Sequence, residues 1–234
     1  MKKAIFSFLG LVSVVLVTAQ TNPIPQSLPY TQNFGSATFT TMPAGMAAWN
    51  GVNGTSTTSQ ALAEASTPTG DATVTALTAA TSTTGGVYGH MPTPSTDARV
   101  YVQSSTNATN GVNQIALAIN TGSFNAVNFQ YDLILVNNGG GSSTREIGVV
   151  LQYRQGNSGS WTSVPGSVQV FNGTQTQGLI VPFNLSVTGL SSSNDYQFRW
   201  ALWRPSTGAG NSLGIGIDNI NITGQNVSVP TVSL

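Results

Sequence analysis

The chain contains no cysteine, so no disulfide braces it and its stability has to come from a packed core. Lysine occurs only at Lys2 and Lys3, and histidine only at His90. Charged residues make up 6% of the sequence, with seven basic side chains against seven acidic ones. Such a chain lacks the basic footprint that nucleic-acid binding requires, and it lacks the polybasic patch that holds a protein on an anionic membrane. One histidine cannot supply the several His or Cys ligands of a zinc site. A Ser-His-Asp triad would depend on the same residue, which lies in GGVYGHMP with no acid nearby and reads as a loop or edge histidine. Beyond Val17 no apolar run is long enough to insert into a bilayer.

What is present begins with a targeting signal. Lys2 and Lys3 precede an apolar run from Ala4 to Val17, and Val17-Thr18-Ala19 offers small residues for cleavage. Residues 1–19 are therefore expected to be a secretory signal peptide, and the protein to be secreted or held at the cell surface. Its removal leaves five arginines against seven acids, a net charge of about −2. Residues 20–225 are expected to form one domain. The tail at 226–234, NVSVPTVSL, reads as a linker or the start of a further domain, which makes the chain the expected N-terminal piece of a longer protein.

Thr, Ser, Asn and Gly dominate the remainder, with β-branched and aromatic residues spaced among them, a composition that suits pleated sheet. Strand-like runs separated by turn residues are predicted at Arg99–Gln103, Gln114–Asn120, Val127–Val136, Ile147–Arg154, Ser167–Phe171, Leu179–Leu185, Tyr196–Trp203 and Leu213–Thr223. In three of them the apolar residues share one parity: Val127, Phe129, Tyr131, Leu133 and Leu135; Ile147, Val149, Leu151 and Tyr153; Tyr196, Phe198, Trp200 and Leu202. One apolar and one polar face per strand predict an all-β, antiparallel two-sheet β-sandwich. Asn137–Gly141 reads as a hairpin loop rather than a phosphate cradle, because a strand and not a helix follows it. Thr55–Thr96 is expected to be mostly loop, with a short helix at Gln60–Ala65 and an edge strand near Val87–His90.

The segment GIGIDNINITG, Gly214 to Gly224, breaks the alternation. Ile215 and Ile217 lie on one parity and Ile220 and Ile222 on the other, with Asp218 between them. Either the strand is buried on both faces or a one-residue bulge sits at Asp218-Asn219. A buried carboxylate there needs a partner, since an isolated one is costly.

For binding, the polar parity of the central strands offers Gln130, Asp132, Gln152, Arg154, Gln197 and Arg199, with Trp203 continuing the last run. Amides and guanidinium groups hydrogen-bond sugar hydroxyls, and tryptophan stacks on sugar rings. The alternative is structural: Arg154 and Arg199 pair with Asp132 to tie strands together, and Trp203 covers a loop. Trp161, beside a turn in SGSWTS, is either a platform or core-edge packing, while Trp49 and Trp200 read as core. For hydrolysis of a glycosidic bond, two carboxylates must flank it. Asp132 and Glu146, on consecutive predicted strands, are the pair that could approach.

The segments LPYTQNF (Leu28–Phe34), MPAGMAAWNG (Met42–Gly51), VVLQYRQGNSGSWTSVPG (Val149–Gly166), YQFRWALWR (Tyr196–Arg204) and GIGIDNINITG, in that order, carry a family resemblance. The chain resembles the secreted jelly-roll modules of Bacteroidetes-type bacteria, similar in outline to MAM and carbohydrate-binding jelly rolls. The resemblance implies a jelly-roll sandwich whose first and last strands meet, with Asp218 near Asn33–Ser36. In related jelly rolls a calcium ion often bridges those segments, which would make Asp218 a ligand of a structural calcium. Since Gln32–Gly35 contains no carboxylate, the favoured expectation is that no cofactor is required and that the Asp218 carboxylate caps backbone amides. Such modules stand beside other domains in secreted chains. The ExDxxE strand pattern of jelly-roll hydrolases resembling laminarinases is missing. The expected function is thus a non-catalytic accessory or adhesion module that binds carbohydrate or a surface glycan. The alternatives are a structural spacer without a ligand and a polysaccharide-active enzyme.

Overall fold

The computed structural model describes residues 20–51, 58–105, 113–205 and 208–228. The expected signal peptide and residues 229–234 of the tail lie outside the described residues. The first half holds β1 (Gln26–Ser27), β2 (Tyr30–Gln32), β3 (Met46–Trp49), α1 (Gln60–Ala65), β4 (Val74–Leu77), β5 (Gly86–His90), β6 (Arg99–Gln103) and β7 (Gln114–Asn120). The second half holds β8 (Ala126–Asn137), β9 (Glu146–Gln155), β10 (Thr162–Ser163) and β11 (Gln169–Asn172). It closes with β12 (Ile180–Thr188), β13 (Asp195–Trp203) and β14 (Gly214–Gln225).

Two sheets form a sandwich of jelly-roll type. The first runs β1-β7-β13-β9-β10, with β3 also on β7 and β11 also on β9. The second runs β12-β8-β14-β6-β5-β4, with β2 also on β14. Most pairings are antiparallel; β1 on β7 and β4 on β5 are parallel. The apolar parities predicted from sequence all point between the sheets. Phe129 and Tyr131 of β8 meet Phe198 and Trp200 of β13, with ring centroids 4.8 Å apart for Phe129–Phe198 and 5.4 Å for Tyr131–Trp200. All four are essentially removed from solvent. Burial of such a side chain contributes about 1.5–3 kcal/mol, so this cluster is a main source of sheet-to-sheet adhesion in a chain without disulfides.

Strand β14 resolves its parity conflict by a bulge. Asp218 lies opposite Asp132 and Asn221 opposite Gln130, so β14 spends one residue more than β8 over this interval. Asn219 takes up the excess at φ +51°, a left-handed conformation that asparagine tolerates better than most residues. Ile215, Ile217, Ile220 and Ile222 therefore all reach the core. Pairing of β2 with β14, Gln32 opposite Ile220, brings the early and late segments together as the resemblance implied. The very first strand, β1, joins the other sheet.

Three expectations need correction. Strands β8 and β9 do not form a hairpin: β8 belongs to the second sheet and β9 to the first, so the Asn137–Gly141 loop crosses the sandwich. An alternating strand has the same pattern whichever sheet it joins, and only pairing distinguishes the two. β5 is not an edge, because β4 pairs outside it. His90 is neither in a loop nor exposed; it ends β5, is 1% exposed, and its Nε2 lies 3.0 Å from the Ala79 carbonyl oxygen.

Candidate functional site

The outer face of the first sheet carries most of the candidate residues. Pairing of β13 with β9 sets Arg199 opposite Gln152 and Gln197 opposite Arg154. Helix α1 lies on this face, capped at its start by Ser59, whose Oγ accepts from the Leu62 N–H at 3.4 Å. Gln60 Nε2 donates to Glu64 Oε1 one turn later at 2.8 Å. Ala63 buries against Val150, Ala201 and Trp203 in a small second core. Trp203 fits there because Gly148 opposes it in the register; a Cβ at Gly148 would come within 2.0 Å of the indole.

Arg199 joins the end of this helix to the sheet. Its Nη2 donates to the Glu64 carbonyl at 2.8 Å and its Nη1 to the Ser66 carbonyl at 2.7 Å. The last carbonyls of a helix have no internal partner, and a cation is their natural complement. Arg199 also donates from Nε to Gln152 Oε1 at 2.8 Å and from Nη1 to Gln114 Oε1 at 3.1 Å. The residue is fully buried. Burial, helped by the neighbouring Arg154 charge and opposed by Glu64, pushes its guanidinium down to about 9.

Trp161 completes the arrangement. The β9–β10 hairpin sets Thr162 opposite Tyr153, which returns Trp161 over Arg154. The Cζ atoms of Arg154 and Arg199 each lie 4.3 Å from the Trp161 ring centroid, a cation–π geometry. Trp161 also meets Trp49 edge-on at 6.4 Å. Of the four tryptophans Trp49, Trp200 and Trp203 are buried, whereas Trp161 stays half-exposed. It lines a recess of about 420 Å³ together with Gln20, Glu64, Ser66 and Arg154. Arg154 is half-buried and donates from Nε and Nη2 to Gln197 Oε1, at 3.0 and 2.7 Å. Gln197 donates in turn to Asn22 Oδ1 at 2.9 Å.

The binding candidates therefore separate, with Gln197 buried on β13 and bonded to Arg154. Gln152, Arg199 and Trp203 are on the first sheet but buried under α1 and Trp161, with Gln152 1% and Trp203 5% exposed. Arg154 is there too and reaches the recess. Gln130 and Asp132 lie on β8, in the other sheet, so neither arginine pairs with Asp132. Glu146 is on β9, which also separates it from Asp132. Trp161 was legible as an aromatic beside a turn, but its stacking on two arginines required the register of three strands.

Asp218 occupies a different place. The registers put Asp132 opposite Asp218 and Arg99 opposite His90, and the pairing of Ile217 with Val100 sets Asp218 beside Arg99. Four ionisable residues thus cross the outer face of the second sheet in one row. Asp218 is fully buried; its Oδ1 accepts the Asn219 N–H at 2.7 Å, whereas Oδ2 has no partner. Arg99 Nε and His90 Nδ1, both buried, also lack partners. Burial raises the Asp218 carboxyl to about 7; its bond to the Asn219 amide opposes this, Asp97 and Asp132 add to it, and Arg99 opposes it. Burial also lowers His90. Asp218 therefore caps one backbone amide, not several. As a calcium site the surroundings fit poorly: calcium takes 6–8 oxygens, Arg99 competes for the carboxylate, and no cluster of three metal-binding side chains occurs among the described residues.

No protein-family model and no curated protein matches the chain. Among solved structures it is similar to the K3 cleaved adhesin domain of Lys-gingipain from Porphyromonas gingivalis W83, at 11% identity over 83% of this chain and 96% of that one, TM-score 0.42. It is similar also to the CBM22-1 xylan-binding domain of a Paenibacillus barcinonensis protein, at 12% identity over 62% and 83% of the two chains, TM-score 0.37. A third is CBM28, a carbohydrate-binding module specific for non-crystalline cellulose, at 11% identity over 63% and 84%, TM-score 0.35. The fold assignment rests on the two sheets themselves.

Proposed function

We propose that the chain is a secreted, non-catalytic accessory or adhesion module that binds carbohydrate, and that the Trp161 recess is where it does so. The observation that carries this reading is the half-exposed indole, fixed over two guanidinium groups and lining a polar recess with Arg154. An indole held this rigidly offers a sugar ring a flat apolar surface at small entropic cost, while Arg154 and the neighbouring side chains offer hydrogen bonds to hydroxyls. A volume of about 420 Å³ falls in the range of small-ligand sites, about 300–1,000 Å³. The sandwich supplies the rigidity that such a shallow site requires. Further domains of a longer chain, if the tail leads to them, would be positioned by this module.

A second reading, a spacer with no ligand, draws support from the internal bonding of Arg199 and Gln152, which removes most of the expected polar face from solvent. A polysaccharide-active enzyme loses its best acid pair, because Asp132 and Glu146 stand on different sheets. The deciding test is retention of the protein on a panel of immobilised polysaccharides, repeated with Trp161→Ala after its fold is verified by circular dichroism. Retention of one glycan class, lost in Trp161→Ala, is the expected result. Retention that survives the substitution would move the site elsewhere, and no retention on any glycan would favour the spacer.

A further inference from the structure

The chain has very few charges, and two of its cations are placed together with no ion pair to an acid among the described residues. Arg154 and Arg199 share the Trp161 ring, each 4.3 Å from its centroid. Their hydrogen-bond acceptors are amide and carbonyl oxygens: Gln197, Gln152 and Gln114 side chains and the Glu64 and Ser66 backbone. Among the described residues the ion pair that forms is Arg99–Asp97, far along the other sheet. Glu64, the nearest acid, turns its Oε1 to Ser163 Oγ and Gln60 Nε2, both at 2.8 Å, instead of to either arginine. Burial lowers both guanidinium groups from their usual range, and the Arg154 charge adds to the descent of Arg199.

The two arginines differ in what they have left. Arg199 is enclosed and its donors serve the fold. Arg154 uses Nε and Nη2 on one acceptor, Gln197 Oε1, and its Nη1 has no acceptor among the described residues. Its terminal fork, Nη1 with the second hydrogen of Nη2, remains free at the wall of the recess. That planar pair of donors matches the two oxygens of a carboxylate. A hydroxyl would satisfy one donor and leave the charge uncompensated. A carboxylate would fill both and also relieve the repulsion between Arg154 and Arg199.

We infer that the Trp161 recess recognises an acidic sugar, with the carboxylate of a uronic acid residue bound end-on by Arg154 and the sugar ring against Trp161. This rests on the carbohydrate-binding reading above and narrows its ligand class. The rest of the chain supplies little background attraction for a polyanion, since charged residues are 6% of it and both lysines lie in the expected signal peptide. Recognition of a carboxylate therefore has to be local, and one substitution should remove it.

The test compares polygalacturonate with the same polymer fully methyl-esterified, and adds neutral xylan and dextran sulfate, by affinity electrophoresis and calorimetry. Tighter binding of polygalacturonate than of its ester is expected, by about tenfold or more, the worth of a charge-assisted hydrogen-bonded pair. Arg154→Gln should abolish that preference while keeping the melting temperature. Arg145→Gln, in the separate recess at the end of the sandwich, should leave it intact. Equal binding of acid and ester, or binding of xylan alone, would overturn the acidic-sugar inference and leave carbohydrate binding standing. Preference for dextran sulfate over polygalacturonate would overturn the assignment to a carboxylate. A preference for the acid that survives Arg154→Gln would overturn the role of Arg154. Binding of no glycan would overturn this inference and the carbohydrate reading together.

Discussion

Replacing Arg199 by alanine tests whether this residue serves the fold or a ligand. The structure gives it four acceptors, three of them buried: the Ser66 carbonyl at 2.7 Å, Gln152 Oε1 at 2.8 Å and Gln114 Oε1 at 3.1 Å, with the part-buried Glu64 carbonyl at 2.8 Å. Hydrogen bonds to a charged group contribute about 1.5–3 kcal/mol each. The gross loss is offset by relief of the cost of burying the charge and by the freedom of the two glutamine side chains to turn elsewhere. The two carbonyls at the end of α1 cannot turn, and Trp161 loses one of the groups it rests on. Net destabilisation of about 3–5 kcal/mol follows, the usual range when one partner of a buried charged network is removed. For a domain of this size that lowers Tm by about 6–20 °C. Urea denaturation followed by tryptophan fluorescence measures it directly, with the m-value checking that the denatured state is unchanged. Arg154→Gln serves as the contrast and should stay within about 1 kcal/mol of the parent, because its side chain is half-exposed. An Arg199→Ala protein equally close to the parent would refute the reasoning, since the packing of Ala63 and the bonds from Ser163, Gln152 and Gln114 to Glu64 and Ser66 would then suffice to hold α1.

The Asp218 carboxyl is raised above its unfolded value to about 7, so the native state binds its proton more tightly than the unfolded chain does. Its contribution is fully present below about pH 4, falls as pH rises through about 7, and amounts to roughly 4 kcal/mol at most. His90, lowered by burial, acts in the opposite direction at acid pH. The informative quantity is thus the difference between the parent and Asp218→Asn: the variant should gain on the parent between pH 4 and pH 8, by at least about 1 kcal/mol at pH 8. Parallel stability profiles would show that Asp218 has the same proton affinity folded and unfolded. Calcium added at pH 8 should move Tm of the parent by less than about 2 °C, and a larger rise over a chelator control would restore Asp218 as a ligand of the ion. Gly148→Ala drives a methyl into the Trp203 indole and should cost about 1–3 kcal/mol; a neutral effect in thermal melts would mean that Trp203 moves freely.

Most of the fold was legible from alternation. Apart from the two-residue β10, the strands from β6 to β14 fall within a few residues of the predicted runs because parity in a half-buried strand follows directly from the pleat. The parity break around Asp218 left a strand buried on both faces or a bulge as the two readings, and the register shows the bulge. The site was much less visible. Gln130, Asp132, Gln152, Arg154, Gln197, Arg199 and Trp203 read from sequence as one polar set, but Gln130 and Asp132 belong to the other sheet, and the sequence does not say that α1 and a hairpin tryptophan cover the rest. Glu64 and Ser66 contribute backbone oxygens, which carry no sequence signature.

From the chain alone came its all-β class, the core parities and the identity of the few ionisable groups. These depend on composition and on neighbours along the strand. Only the tertiary structure decided which sheet each strand joins, and so parted Asp132 from Glu146 and from both arginines. It also decided which arginine is consumed by the fold and which keeps a free fork. Strand pairing and the roofing of a sheet are long-range choices among nearly equivalent surfaces, settled by total burial and hydrogen-bond satisfaction rather than by any local pattern.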